Sequence, residues 1–121
     1  MNTLHEIAGT VVLSTPAEGT PVRGDGDVMD LIGDALGNHA EVVVLPVDRL
    51  DESFFSLRTG VAGAIVQKFV NYRVKLAVIG DISGFVDKST ALRDFVTEAN
   101  RGRQVWFLPE MEALNARLSG S

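Results

Sequence analysis

Apolar positions change period several times along this chain. Leu4-His5-Glu6-Ile7-Ala8 and Val11-Val12-Leu13 flank Gly9-Thr10, which predicts one bent strand or a short hairpin. Val28, Leu31, Ile32, Ala35 and Leu36 then recur at i, i+3, i+4, i+7 and i+8, the stripe of an amphipathic helix. Asp25 or Asp27 can cap its start, and Gly37-Asn38 supplies a stop. Glu41 to Val47 is a β-branched run that fits a strand covered on both faces. A long helix is predicted from about Ser56 to Tyr72, followed by a second buried strand, Leu76-Ala77-Val78-Ile79, closed by Gly80-Asp81. Ser89 is positioned to cap a helix striped by Leu92, Phe95, Val96 and Ala99, which ends at Asn100-Arg101-Gly102. Val105-Trp106-Phe107-Leu108 forms a further strand, and Pro109 opens a last helix with Met111, Leu114 and Leu118 on one side.

Strands alternating with helices imply right-handed crossovers and an α/β fold. The expected architecture is a small, mainly parallel sheet of four to five strands with helices packed on it. The chain reads as a single domain over residues 1–121. A glycine- and proline-rich stretch, residues 15–27, is expected to be a flexible loop. In a parallel sheet the strand-to-helix turns share one rim, where open α/β sheets usually keep their sites. Trp106 and Phe107 should point to opposite faces of the sheet, both buried if both faces carry helices.

Composition narrows the function more by exclusion than by indication. The chain has 121 residues, 45% of them hydrophobic and 22% charged, close to globular averages. Its formal net charge is −5, with no basic run, which argues against a nucleic-acid backbone or an anionic membrane as partner. Without cysteine there is no disulfide, thiol nucleophile or zinc–thiolate site. Neither His5 nor His39 belongs to a metal-ligand or triad spacing, so no metal or cofactor is implied. The N-terminus lacks the basic and apolar regions of a signal peptide, and Val42–Val47 is too short to span a bilayer. A cytoplasmic location is the expectation.

Two sets of residues carry candidate chemistry. The first lies on the presumed rim: Arg58 and Thr59 at the start of the long helix, and Asp81 and Ser83 after the Leu76–Ile79 strand. An arginine at a helix N-terminus can hold an anion. Asp81 occupies the place of a phospho-accepting aspartate, but Pro109-Glu110 follows the last strand where that chemistry wants a lysine. A simpler role has Asp81 accepting from the N–H groups of Ser83 and Gly84, Thr59 capping the helix, and Arg58 pairing with Asp81 or Asp48. The second set lies on the helix face opposite Val61, Ile65 and Phe69, where Gly60, Gly63, Gln67 and Asn71 fall together. Two glycines inside a helix cost about 1 kcal/mol each relative to alanine, so close backbone approach should offset them. The approaching element is either another part of this chain or a second copy of it. Phe54-Phe55, next to each other in a connection, read as a plug under the sheet edge.

A family resemblance adds to this reading. Leu57-Arg58-Thr59-Gly60-Val61-Ala62-Gly63, Gln67–Arg73, Gly80-Asp81-Ile82-Ser83, Ala91–Phe95 and Asn100-Arg101-Gly102 together resemble a bacterial family called domain of unknown function 4180, over roughly Asp27 to Leu118. More distantly, the order of elements is similar to the STAS domain of anti-sigma-factor antagonists. That similarity implies STAS-like topology, with Leu57-Arg58-Thr59-Gly60 at the position of its Asp-Ser-Ser-Gly loop. Arg58 replaces the serine that is ordinarily phosphorylated and Leu57 the aspartate, so the scaffold is implied and the phospho-switch is not. The resulting expectation is a non-enzymatic regulatory or protein-binding module with a protein partner and a capacity to homodimerise. The alternative is a small-molecule or anion-binding protein, or a weak enzyme, working through Arg58, Thr59, Asp81 and Ser83.

Overall fold

The computed structural model describes residues 2–120. Strands β1 (Thr3–Ile7) and β2 (Thr10–Ser14) form an antiparallel hairpin in which Ile7 pairs with Thr10. Ala8 and Gly9 make the turn, both with positive φ, as the tight two-residue hairpin requires. Three parallel strands complete the sheet: β3 (Val42–Pro46), β4 (Lys75–Ile79) and β5 (Val105–Leu108). The spatial order β1-β2-β3-β4-β5 is the order along the chain.

That order decides where the helices go. Right-handed crossovers that always step in the same direction put every connecting helix on the same face. Helices α1 (Asp25–Gly37), α2 (Val61–Asn71) and α4 (Thr90–Arg101) accordingly pack together on one side, over Leu13, Val43, Leu45, Leu76, Val78 and Phe107. Helix α3 (Ser83–Val86) is a single turn leading into α4. The other face carries Val12, Val42, Val44, Ala77 and Trp106, and α5 (Met111–Gly120) covers it through Leu114. Trp106 and Phe107 are each 5% exposed and belong to the two different cores, as alternation along a strand demands.

Three local expectations are corrected. The long helix starts at Val61 rather than Ser56. Residues 57–59 form a separate 3₁₀ turn, and Gly60 breaks the run with a left-handed φ of 79°. Gly60 therefore serves a positive-φ junction, where glycine is favoured, and carries no mid-helix penalty. Helix α1 is preceded by Gly24, which offers no side-chain cap. Asp25 and Asp27 instead sit inside its first turn, where negative charge suits the helix dipole. The loop after β2 ends at Gly24, and its middle is tied down. Val22 is buried and donates its N–H to the Arg49 carbonyl at 2.6 Å. Arg49, only 9% exposed, donates to the carbonyls of Thr20 (2.8 Å) and Pro16 (2.9 Å).

Phe54 and Phe55 form the plug expected of them. Both are buried, with ring centroids 5.2 Å apart, and Phe54 reaches Phe107 at 6.1 Å. They sit in a 3₁₀ segment, Glu52–Phe55, that fills the approach to α2.

Candidate functional site

The parallel strands β2 to β5 end at Ser14, Pro46, Ile79 and Leu108, and the turns beyond them build the rim. The Phe55 and Phe85 rings stack 4.1 Å apart, nearly parallel, and so join the approach to α2 to the turn after β4. The start of α2 and the end of β4 thus lie on the same side of the sheet, as the topology requires.

The four rim residues do not converge on one pocket. Arg58 lines a cleft of about 590 Å³ with Phe55, Ser56, Phe85, Lys88 and Ser89. Asp81 and Ser83 border a second depression of about 350 Å³, whose walls include Val86, Val96 and Phe107. Helix α3 separates the two, since Phe85 faces one and Val86 the other. Thr59 lines neither.

Most of these side chains are committed to the backbone around them. The Thr59 hydroxyl lies 2.7 Å from the Ser53 carbonyl and 2.8 Å from that of Ser56, and accepts from the Val61 N–H at 3.2 Å. It closes the 3₁₀ turn and caps α2, leaving little hydrogen-bonding capacity for a ligand. Asp81 accepts from the Ser83 N–H at 2.9 Å. That backbone bond first, and then the Ser83 hydroxyl, hold its carboxyl below the usual carboxylate range. No bond from Gly84 joins it. Arg58 does not find the expected carboxylate: the ion pairs among the described residues are Arg23–Asp51 and Arg101–Glu98. Its 3₁₀ turn aims it at the aromatic cleft, while Asp81 is turned onto its own loop. Of the four, Arg58 is the one free to meet a partner.

The exposed α2 face is similarly open. A Cβ built on Gly63 meets no atom of another segment within 4 Å among the described residues. Gln67 donates to Asn71 at 2.9 Å, a pair within the helix rather than a bond to neighbouring backbone. Val70 and Tyr72 beside them are 37% and 43% exposed.

Two arrangements were not anticipated from the sequence. His5 Nε2 lies 2.7 Å from Ser14 Oγ across the hairpin, yet no carboxylate bonds to the ring among the described residues, so the pair lacks the third member of a triad. The larger omission is at the opposite end of the sheet. Lys75, Arg101, Arg103 and Arg117 converge there on a cleft of about 510 Å³ beside Trp106. A signal for it was present: Lys75 and Arg103 each fall where a helix returns to a strand. A parallel sheet brings all such returns to one end.

No group of three or more histidine, aspartate or glutamate side chains among the described residues is arranged to hold a metal ion. No helix among them is long and apolar enough to cross a membrane. The family described as domain of unknown function (DUF4180) matches residues 7–118, and the chain belongs to it. No match was found among curated proteins or among solved structures.

Proposed function

We propose that this member of the DUF4180 family is a non-enzymatic binding module that takes an acidic protein segment in the rim cleft beneath α3 and α4. One observation carries the reading. An aromatic surface, Phe85 stacked on Phe55, stands beside two cations, Arg58 and Lys88, and two hydroxyls, Ser56 and Ser89. Phe85 is 37% exposed and its partner ring is buried, so the stack offers a rigid apolar platform at the surface. Arg58 and Lys88 have no ion-pair partner among the described residues, and they suit carboxylates on a segment lying across that platform. The groups that could act chemically, Thr59 and Asp81, are engaged in holding turns, which favours recognition over catalysis.

A displayed random-peptide library tests this. Selection on the protein is expected to enrich sequences that pair acidic residues with an aromatic or aliphatic one, and the double variant Arg58→Glu, Lys88→Glu should lose them. Enriched peptides indifferent to that charge reversal would overturn the reading. A small anion whose stabilisation of the protein disappears in the same variant would favour the alternative, a small-molecule site on this rim.

Self-association through α2 is a second reading, favoured by the open surface at Gly63. A helix that carries Gly63, Gln67 and Asn71 on an exposed face, with open space at Gly63 among the described residues, has room for a second copy.

A further inference from the structure

The basic cleft at the amino-terminal end of the parallel strands has no role in that reading. It lies at the starts of β4 and β5, where α4 ends and α5 passes. Four of the chain's eleven basic residues line it, in a protein whose formal net charge is −5, and among the described residues no carboxylate side chain is in its walls. Glu41 lies at the same end of the sheet, its carbonyl accepting the Lys75 N–H, but its side chain makes no ion pair with Lys75. Glu98 pairs with Arg101 across 3.6 Å, with both side chains well exposed, a contact too solvated to neutralise the cluster.

A helix C-terminus attracts cations, and that explains part of the set. Arg117 donates to the Asn100 carbonyl at 2.7 Å, and Trp106 Nε1 donates to the Gly102 carbonyl at 2.9 Å. With those carbonyls occupied, the end of α4 does not account for Lys75 or Arg103. The apolar wall is also charged from above, since Lys75 Nζ lies 6.0 Å and Arg117 Cζ 5.3 Å from the Trp106 ring centroid. Both side chains are half-buried, with their charged ends over the indole. Two half-buried cations fixed over one ring, with two exposed arginines at the mouth, make a positive field focused in a concave site.

We infer that this cleft binds a small polyphosphate-bearing anion. Guanidinium forks match phosphate oxygens in pairs, and three arginines with one lysine suit at least two linked phosphoryl groups. The negative charge of the rest of the molecule disfavours an extended nucleic-acid backbone and leaves a compact ligand.

Trp106 is the chain's single tryptophan, so its fluorescence reports the site directly. Titration with pyrophosphate and with tripolyphosphate at low salt is expected to change that emission along a saturating 1:1 curve, with matching calorimetry. Arg103→Ala and Arg101→Ala, both exposed and without a structural bond to the backbone, should each weaken binding about tenfold while leaving the melting temperature unchanged. Lys75→Gln should weaken it comparably. Arg58→Glu, at the far rim, should leave it unchanged. Absence of saturation at millimolar pyrophosphate and tripolyphosphate would overturn the inference. So would equal binding of citrate, which carries charge without phosphate, or an equal loss with Arg58→Glu, which would mark a diffuse electrostatic effect.

Discussion

A methyl group added to glycine has opposite consequences at three positions of this chain. Gly80 has a φ of 143°, and a Cβ there would lie 2.8 Å from Val47 Cγ2. Gly80→Ala is therefore expected to lower stability by about 2 kcal/mol or more, read by chemical denaturation. Gly19 has an ordinary φ, but its Cβ would overlap the Arg49 guanidinium, which two carbonyls hold in place. Gly19→Ala should cost about 1–3 kcal/mol, because Arg49 must give up bonds while staying buried. Gly63 is helical and open, so Gly63→Ala should raise stability by about 0.5–1 kcal/mol. Acid sensitivity is also a residue-level property. Asp51 accepts from the Ser53 hydroxyl at 2.7 Å and its N–H at 3.2 Å, and these bonds, helped by Arg23, lower its pKa as Ser83 lowers that of Asp81. A carboxyl whose pKa is lower in the folded state stabilises the fold above its unfolded pKa, and that stability is lost as pH falls through the folded value. Replacing both, Asp51→Asn with Asp81→Asn, is expected to lower the melting temperature at neutral pH and to change it little in acid, so that its fall through the carboxylate range is flattened.

Among elements, the edges of the sheet and its thinner face depend on few contacts. β5 is an edge strand, and an unpaired edge invites pairing with other chains. The Asn100 side chain accepts from the Phe107 N–H at 2.7 Å and donates to its carbonyl at 3.1 Å, doing for one residue what a sixth strand would do. Asn100→Ala leaves both groups partly buried without partners and should cost about 2–3 kcal/mol, with slow aggregation as the second symptom. On the face opposite α1, α2 and α4, α5 supplies the cover, and Leu114 is its fully buried residue. Leu114→Ala is expected to cost about 2–5 kcal/mol and to shift Trp106 emission toward longer wavelength as water reaches the ring. A destabilised variant whose emission stays unchanged would mean that Trp106 is shielded without α5.

For the molecule as a whole, sequential strand order separates two ends with different character. The carboxyl end gathers the turns that carry Phe85, Arg58 and Asp81, and the amino end gathers Lys75, Arg101, Arg103 and Arg117. The open α2 face between these ends bears on the oligomeric state. Gly63→Leu has space to fill, so the monomer should fold with undiminished stability. If two copies meet there, light scattering will show the wild type as a dimer and this variant as a monomer. A wild type that is monomeric at high micromolar concentration removes that reading.

Period and turn chemistry, which act within a few residues, were legible in the sequence. They gave the alternation of strands and helices, the Ser89 cap, the opposed Trp106 and Phe107, and the paired phenylalanines as a plug. Where a contact links distant segments, local pattern carried no trace of it. Residues 57–63 show helical periodicity, yet Gly60 in a left-handed conformation splits them, because the chain must turn from the Phe54–Phe55 plug into α2. Nothing in the glycine-rich loop's own pattern announces Arg49, some thirty residues on, which donates to the carbonyls of Pro16 and Thr20. Arg58 lines one depression and Asp81 and Ser83 another, with α3 between them, and that short helix has too few residues to show a period. The cluster of basic residues around Trp106 is the clearest case. Its members are separated by up to 42 positions in sequence, from Lys75 to Arg117, and no charge run announces them. A sheet whose parallel strands all start at one end brings them together, and sheet pairing is a property of the folded chain rather than of any segment of it.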